Sequence, residues 1–123
     1  MCAKKILIAD DEPDIVTVLK CELESEGYQV ITSIDGKDAL AKVLAEQPDL
    51  VILDVMMPKM NGWEVCKNLK TDEKLKIIPV IMLTAKTQQV DALMSFECGA
   101  NEYLTKPFDF DEVSGIIKKL IGG

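Results

Sequence analysis

Leu50-Val51-Ile52-Leu53-Asp54-Val55-Met56-Met57-Pro58 decides how the rest of this chain is read. Four consecutive large apolar residues predict a strand buried on both faces, and such strands belong to parallel sheets covered by helices. The run stops on a carboxylate. A lone charge in apolar surroundings is strongly disfavoured, so Asp54 is expected to be paired, bound to metal or set in a cleft.

Working outward, the same form recurs. Ile6-Leu7-Ile8-Ala9 ends at Asp10-Asp11, Val80-Ile81-Met82-Leu83 is entered through Pro79 and ends at Thr84, and Glu102-Tyr103-Leu104-Thr105 ends at Lys106-Pro107. Tyr28 to Thr32 completes the strands. Between them lie helical patterns. Pro13 opens one carrying Ile15, Val18, Leu19 and Leu23 and stopped by Gly27. Asp35-Gly36 opens another with a buried stripe of Ala39, Leu40, Val43 and Leu44, closed by Pro48. Asn61 with Glu64 starts a third, on which Trp63, Cys66 and Leu69 face the core. Val90, Leu93 and Met94 mark a fourth that stops at Gly99. Asp109 and Glu112 cap a fifth, with Val113, Ile116, Ile117, Leu120 and Ile121 on its apolar face up to Gly122.

Strands alternating with helices predict an α/β fold, because each right-handed crossover between parallel strands carries a helix. The expected architecture is a five-stranded parallel sheet of flavodoxin-like order 2-1-3-4-5, with helices on both faces. Residues 1–123 are expected to form one domain.

Composition narrows the function. With 48% hydrophobic and 28% charged residues the chain reads as globular. The apolar runs are too short to span a bilayer and no signal core follows Met1, so no membrane partner and a cytoplasmic location are expected. Cys2, Cys21, Cys66 and Cys98 form no Cys-x-x-Cys, and the chain has 0 histidines, which argues against zinc and for free thiols. The absence of histidine also excludes a Ser-His or Cys-His nucleophile. All 14 basic residues are lysine against 21 acids, a net charge of −7. Without arginine forks and with an acidic field, direct nucleic-acid binding is not expected.

In the order 2-1-3-4-5 the first and third strands are neighbours at the switch point, where ligands bind beyond the carboxyl ends. Asp10, Asp11, Asp54, Thr84 and Lys106 should therefore meet at one end of the sheet. Converging carboxylates repel one another, and a hard divalent cation relieves this; oxygen ligands favour Mg2+ or Mn2+. An acyl phosphate of about −2 on Asp54 with Asp10 and Asp11 gives about −4, against about +3 from metal and Lys106. The site is nearly balanced only with a phosphoryl group aboard. A carboxylate can be the nucleophile in phosphoryl transfer, and the Thr84 hydroxyl can donate to a phosphoryl oxygen.

Asp10-Asp11 after the first strand, Asp54 in Leu-Asp-Val-Met-Met-Pro with Gly62 behind it, Thr84-Ala85 and Lys106-Pro107-Phe108 resemble the receiver domain of two-component response regulators, of the single-domain kind found in chemotaxis regulators. The resemblance covers essentially the whole chain. It implies a phosphorylation-dependent signalling switch, with Asp54 as phosphoacceptor, Asp11 as a direct Mg2+ ligand, Asp10 as a ligand through water and the Met56 backbone carbonyl as a further ligand. Thr84 and Lys106 would bind the phosphoryl group, the Lys106-Pro107 peptide would be cis, and Tyr103 would be the aromatic switch that follows Thr84. A histidine kinase or phosphotransfer protein would be the donor, which would explain how a chain lacking histidine takes part in this chemistry. Met56 and Lys86 would flank the path of hydrolytic water. The chain would be no enzyme beyond catalysing its own phosphorylation and dephosphorylation. The face made by the helix after Thr84, the fifth strand and the last helix, with Ala92, Ser95, Phe96, Tyr103 and Phe110, would then signal to a downstream protein partner or output domain.

Two rivals stand beside this reading. In a metal-dependent phosphohydrolase with an aspartate nucleophile, Asp10 and Glu12 would stand two apart as such enzymes require, but the matching place after Asp54 is Met56. A flavodoxin-like nucleotide module would need amides to cradle a phosphate where Asp10-Asp11-Glu12-Pro13 repels one.

Overall fold

A computed structural model describes residues 4–55, 61–85, 99–106 and 108–122, with the backbone alone at 84 and 85. The strands are β1 (Lys5–Ala9), β2 (Gln29–Ser33), β3 (Leu50–Asp54), β4 (Val80–Ala85) and β5 (Glu102–Lys106). The described helices are α1 (Pro13–Ser25), α2 (Gly36–Glu46), α3 (Gly62–Thr71) and α4 (Phe110–Ile121). All pairings are parallel and the order is β2-β1-β3-β4-β5, the flavodoxin-like order expected. The helix expected on Val90, Leu93 and Met94 lies outside the described residues.

Every residue of β3 is buried, because the strand is central and covered on both sides. Successive side chains point to opposite faces. Leu50 and Ile52 accordingly join Ile6, Ile8, Leu19, Leu23, Val113 and Ile117 on the side of α1 and α4. Val51 and Leu53 join Leu7, Ala9, Ala39, Val43, Cys66 and Leu69 on the side of α2 and α3. A polar group at the end of such a strand has one way out, beyond the carboxyl edge. The register sets Ala9 beside Leu53 and Asp54 beside Leu83, so the ends of β1, β3 and β4 open onto one crevice.

The capping expectations hold where the local chemistry is strong. Asn61 accepts the Glu64 N–H at 3.0 Å, and Asp109 with Glu112 makes both halves of a capping box. The apolar stripes are narrower than the spacing predicts: Val18 is 58% exposed and Leu44 53% exposed, each on the outer edge of its helix. At the end of α2 it is Gln47, ahead of Pro48, that turns the chain, in the left-handed region at φ 46°, with its N–H donating to the Val43 carbonyl at 2.9 Å. A side chain there suffers a Cβ clash of about 1–2 kcal/mol that glycine avoids. After the extra entropy glycine loses on folding, Gln47→Gly should stabilise the domain by about 0.5–1 kcal/mol. Urea unfolding with an unchanged m-value checks this, and a loss of stability would contradict it.

Candidate functional site

The chain leaves β1 at Asp10, whose N–H donates to the Ser33 carbonyl at 3.1 Å, and Asp10 is fully buried. Its Oδ1 accepts the Glu12 N–H at 2.9 Å, a turn in which an aspartate side chain replaces a backbone acceptor. That turn folds Glu12 back towards the crevice. Asp54 closes β3 and is 5% exposed. Behind it packs Gly62, the first residue of α3, whose N–H donates to the Val55 carbonyl at 2.9 Å. A Cβ at Gly62 would collide with the Asp54 carbonyl oxygen and stand 3.0 Å from Met82 Cε.

Lys106 ends β5 and reaches across the edge of the sheet to this group. Its Nζ lies 2.7 Å from Glu12 Oε1, 3.1 Å from Asp10 Oδ2 and 3.5 Å from Asp54 Oδ2. Burial pulls the ammonium's pKa down, but its contacts with Glu12 and Asp10 and the charges of Asp10 and Asp54 outweigh that and hold it above the usual lysine range. A raised lysine pKa gives stability that is fully present below the unfolded-state value and is lost as pH rises through the folded one. Lys106 therefore stays charged throughout the neutral range.

Asp10 Oδ2 is buried and takes no well-oriented hydrogen bond from any described residue, although Lys106 Nζ is near it. Carboxylate oxygens of Asp10, Glu12 and Asp54 lie within 4.8 Å of one another. Among the described residues, three carboxylates converge on one ammonium here. An oxygen-only donor set with an orphaned buried oxygen and that excess of carboxylates fits a hard divalent cation.

The residues expected at the site fall into three groups. Asp10, Asp54 and Lys106 are brought together. Asp11 is exposed and is not among the three clustered carboxylates, while Thr84 stands in β4 beside Thr105, with its side chain outside what is described. Met56, Lys86 and Pro107 lie outside the described residues. Glu12 is the member of the cluster that the sequence reading gave no part in receiver chemistry; the signal for it was Asp10 itself, a residue type that turns the chain two positions on.

Tyr103 is half-buried against the cluster on the side of α2 and α3. Phe110, on the last helix, is half-buried against the cluster on the side of α1 and α4. With Ile15, Val18, Phe108 and Glu12 it lines a cavity of about 600 Å3 beside α1. The cause is helical spacing, since Phe110 shares a stripe with the buried Val113 and Ile117. Ala92, Ser95 and Phe96 lie outside the described residues. Among the described residues no helix is long and apolar enough to cross a membrane.

The response regulator receiver domain family matches residues 6–118. Over 118 residues the chain is 50% identical to the alkaline phosphatase synthesis transcriptional regulatory protein PhoP of Bacillus subtilis, a match covering 96% of this chain and 48% of that protein. It is 44% identical to the DNA-binding dual master transcriptional regulator RpaA of Synechocystis sp., covering 95% of this chain and 48% of the relative. The chain thus spans about half the length of these curated relatives. Among solved structures, the receiver domain of the sensor histidine kinase PA1611 from Pseudomonas aeruginosa, which has a magnesium ion coordinated in its active site cleft, superposes with a TM-score of 0.90 at 30% identity, covering 99% of this chain and 100% of that one.

Proposed function

The chain belongs to the response regulator receiver domain family, the phosphorylation switches of two-component signalling, and from that premise we propose that Asp54 is its phosphoacceptor. The observation that carries this reading is the convergence of buried Asp10, Asp54 and the Lys106 ammonium at the carboxyl end of the central strands. A carboxylate in that position is held still, shielded from bulk water and faced by a fixed positive charge, which is most of what phosphoryl transfer asks of a protein.

In the proposed reaction a histidine kinase or phosphotransfer protein presents a phosphohistidine. An Asp54 carboxylate oxygen attacks phosphorus; the new O–P bond forms as the P–N bond breaks, and the departing imidazole nitrogen keeps that electron pair and takes up a proton. Lys106 then binds a phosphoryl oxygen, and the Thr84 hydroxyl donates to another. Asp10, Asp11, Asp54 and the Met56 carbonyl would hold Mg2+, or Mn2+ in its place, and the metal would supply charge neutralisation at the phosphoryl oxygens. Support for a metal comes from the orphaned Asp10 oxygen and the excess negative charge of the crevice.

The switch proper is the movement of Thr84 and then Tyr103, which biases a two-state face read by a downstream protein partner or output domain. The receiver unit is taken as residues 1–123, acting in the cytoplasm. Its catalysis is confined to its own phosphorylation and dephosphorylation. The net charge of −7 and a basic set made only of lysine support a unit that does not itself bind nucleic acid. The metal requirement has a simple test. Incubation with acetyl phosphate and Mg2+ should add one phosphoryl group by intact mass, and prior chelation with EDTA should stop it; an adduct that forms equally well in EDTA would remove the metal from the account.

A further inference from the structure

Glu12 sits at the N-cap of α1, yet its side chain makes no capping hydrogen bond, and Pro13 follows it. Nothing in the helix start therefore uses this carboxylate. Among the described residues its ion pair is the 2.7 Å one with Lys106, the shortest of the three that the ammonium makes there. The Glu12 side chain is 57% exposed, whereas that of Asp10 is fully buried. So Glu12 can swing into water and Asp10 cannot. A pair with one exposed end is weak, about two- to fivefold in an equilibrium. A phosphoryl group carrying about two negative charges can outcompete it for the lysine.

We propose that Glu12 is a positioning residue that draws the Lys106 ammonium off the phosphoryl position, so that release of this contact helps set how readily Asp54 is phosphorylated. The proposal rests on the reading of Asp54 as phosphoacceptor. It assigns Glu12 the opposite role from that of a metal ligand. A ligand would promote phosphorylation, while a latch on Lys106 opposes it.

The test uses the full chain at saturating Mg2+ with acetyl phosphate, comparing initial rates of adduct formation by intact mass for wild type, E12Q, K106M and the double variant. E12Q should phosphorylate about two- to fivefold faster than wild type. That gain should vanish in the K106M background, because Glu12 acts through the lysine. In metal-free protein without donor, the Lys106 ammonium resonance should shift in E12Q, which reads the contact independently of phosphorylation. A slower E12Q would make Glu12 a metal ligand and overturn the proposal. An equal gain with and without Lys106 would reduce the effect to the general field and overturn it too, as would unchanged rates. Absence of any adduct on the wild type would instead remove the phosphoacceptor reading, and the latch with it.

Discussion

Gly62→Ala should destabilise the domain by about 1–3 kcal/mol and slow the proposed phosphorylation of Asp54 by about a hundredfold. The added Cβ has nowhere to go: it meets the Asp54 carbonyl oxygen, and Met82 Cε closes the remaining side at 3.0 Å. A flexible methionine tip can yield, but a strand backbone in mid-sheet cannot. Either the end of β3 shifts or the first turn of α3 does, and both moves displace the Asp54 carboxylate. The rate effect exceeds the stability effect in diagnostic value, because about 1 Å of misplacement at a reacting atom is enough to produce it. Urea unfolding and the rate of adduct formation with acetyl phosphate check the two halves. A variant of unchanged stability that still phosphorylates at the wild-type rate would show that α3 does not brace the site.

Lys106→Met should leave Asp10 and Asp54 without their shared cation. Removing one partner of a buried ion pair is reported to cost about 3–5 kcal/mol, and the lower end applies because the Lys106 side chain keeps 15% of its exposure. Part of this loss should return on adding Mg2+, since a divalent cation held by Asp10 and Asp54 replaces the missing charge. Phosphorylation should be slowed even at saturating Mg2+, because the proposed contact of the ammonium with a phosphoryl oxygen is removed. If the variant unfolds at the same urea concentration as wild type in metal-free buffer, the crevice does not hold the excess negative charge described here.

Much of this architecture was legible in the residues, for a physical reason. A strand covered on both faces must be apolar until it ends, so each terminating polar residue advertised itself: Asp10, Asp54, Thr84 and Lys106. Right-handed crossovers then left few topologies, and the observed β2-β1-β3-β4-β5 order is the one they favour. What escaped depends on side chains that travel. Glu12 reaches the crevice through a turn made by Asp10, and Lys106 spreads over three carboxylates on two other segments. Lys70, which reads as an ordinary surface lysine, donates instead to the Lys76 and Ile78 carbonyls and to Asn101 Oδ1, tying the end of α3 to the chain on either side of β4. No local pattern marks such a clamp. Phe110 is different, because its spacing from Val113 and Ile117 already placed it on the side of α1. Gln47 broke the rule that glycine or asparagine takes the left-handed position, and only backbone geometry reveals it.

The central claim is that Asp54 carries the phosphoryl group. Wild type and Asp54→Asn, each incubated with Mg2+ and acetyl phosphate, should be compared by intact mass and by fragmentation of the peptide spanning residue 54. The account predicts one added phosphoryl group on the wild type, located at Asp54, and none on the variant. A wild type that gains nothing, or a variant that gains the same group at the same rate, would contradict it.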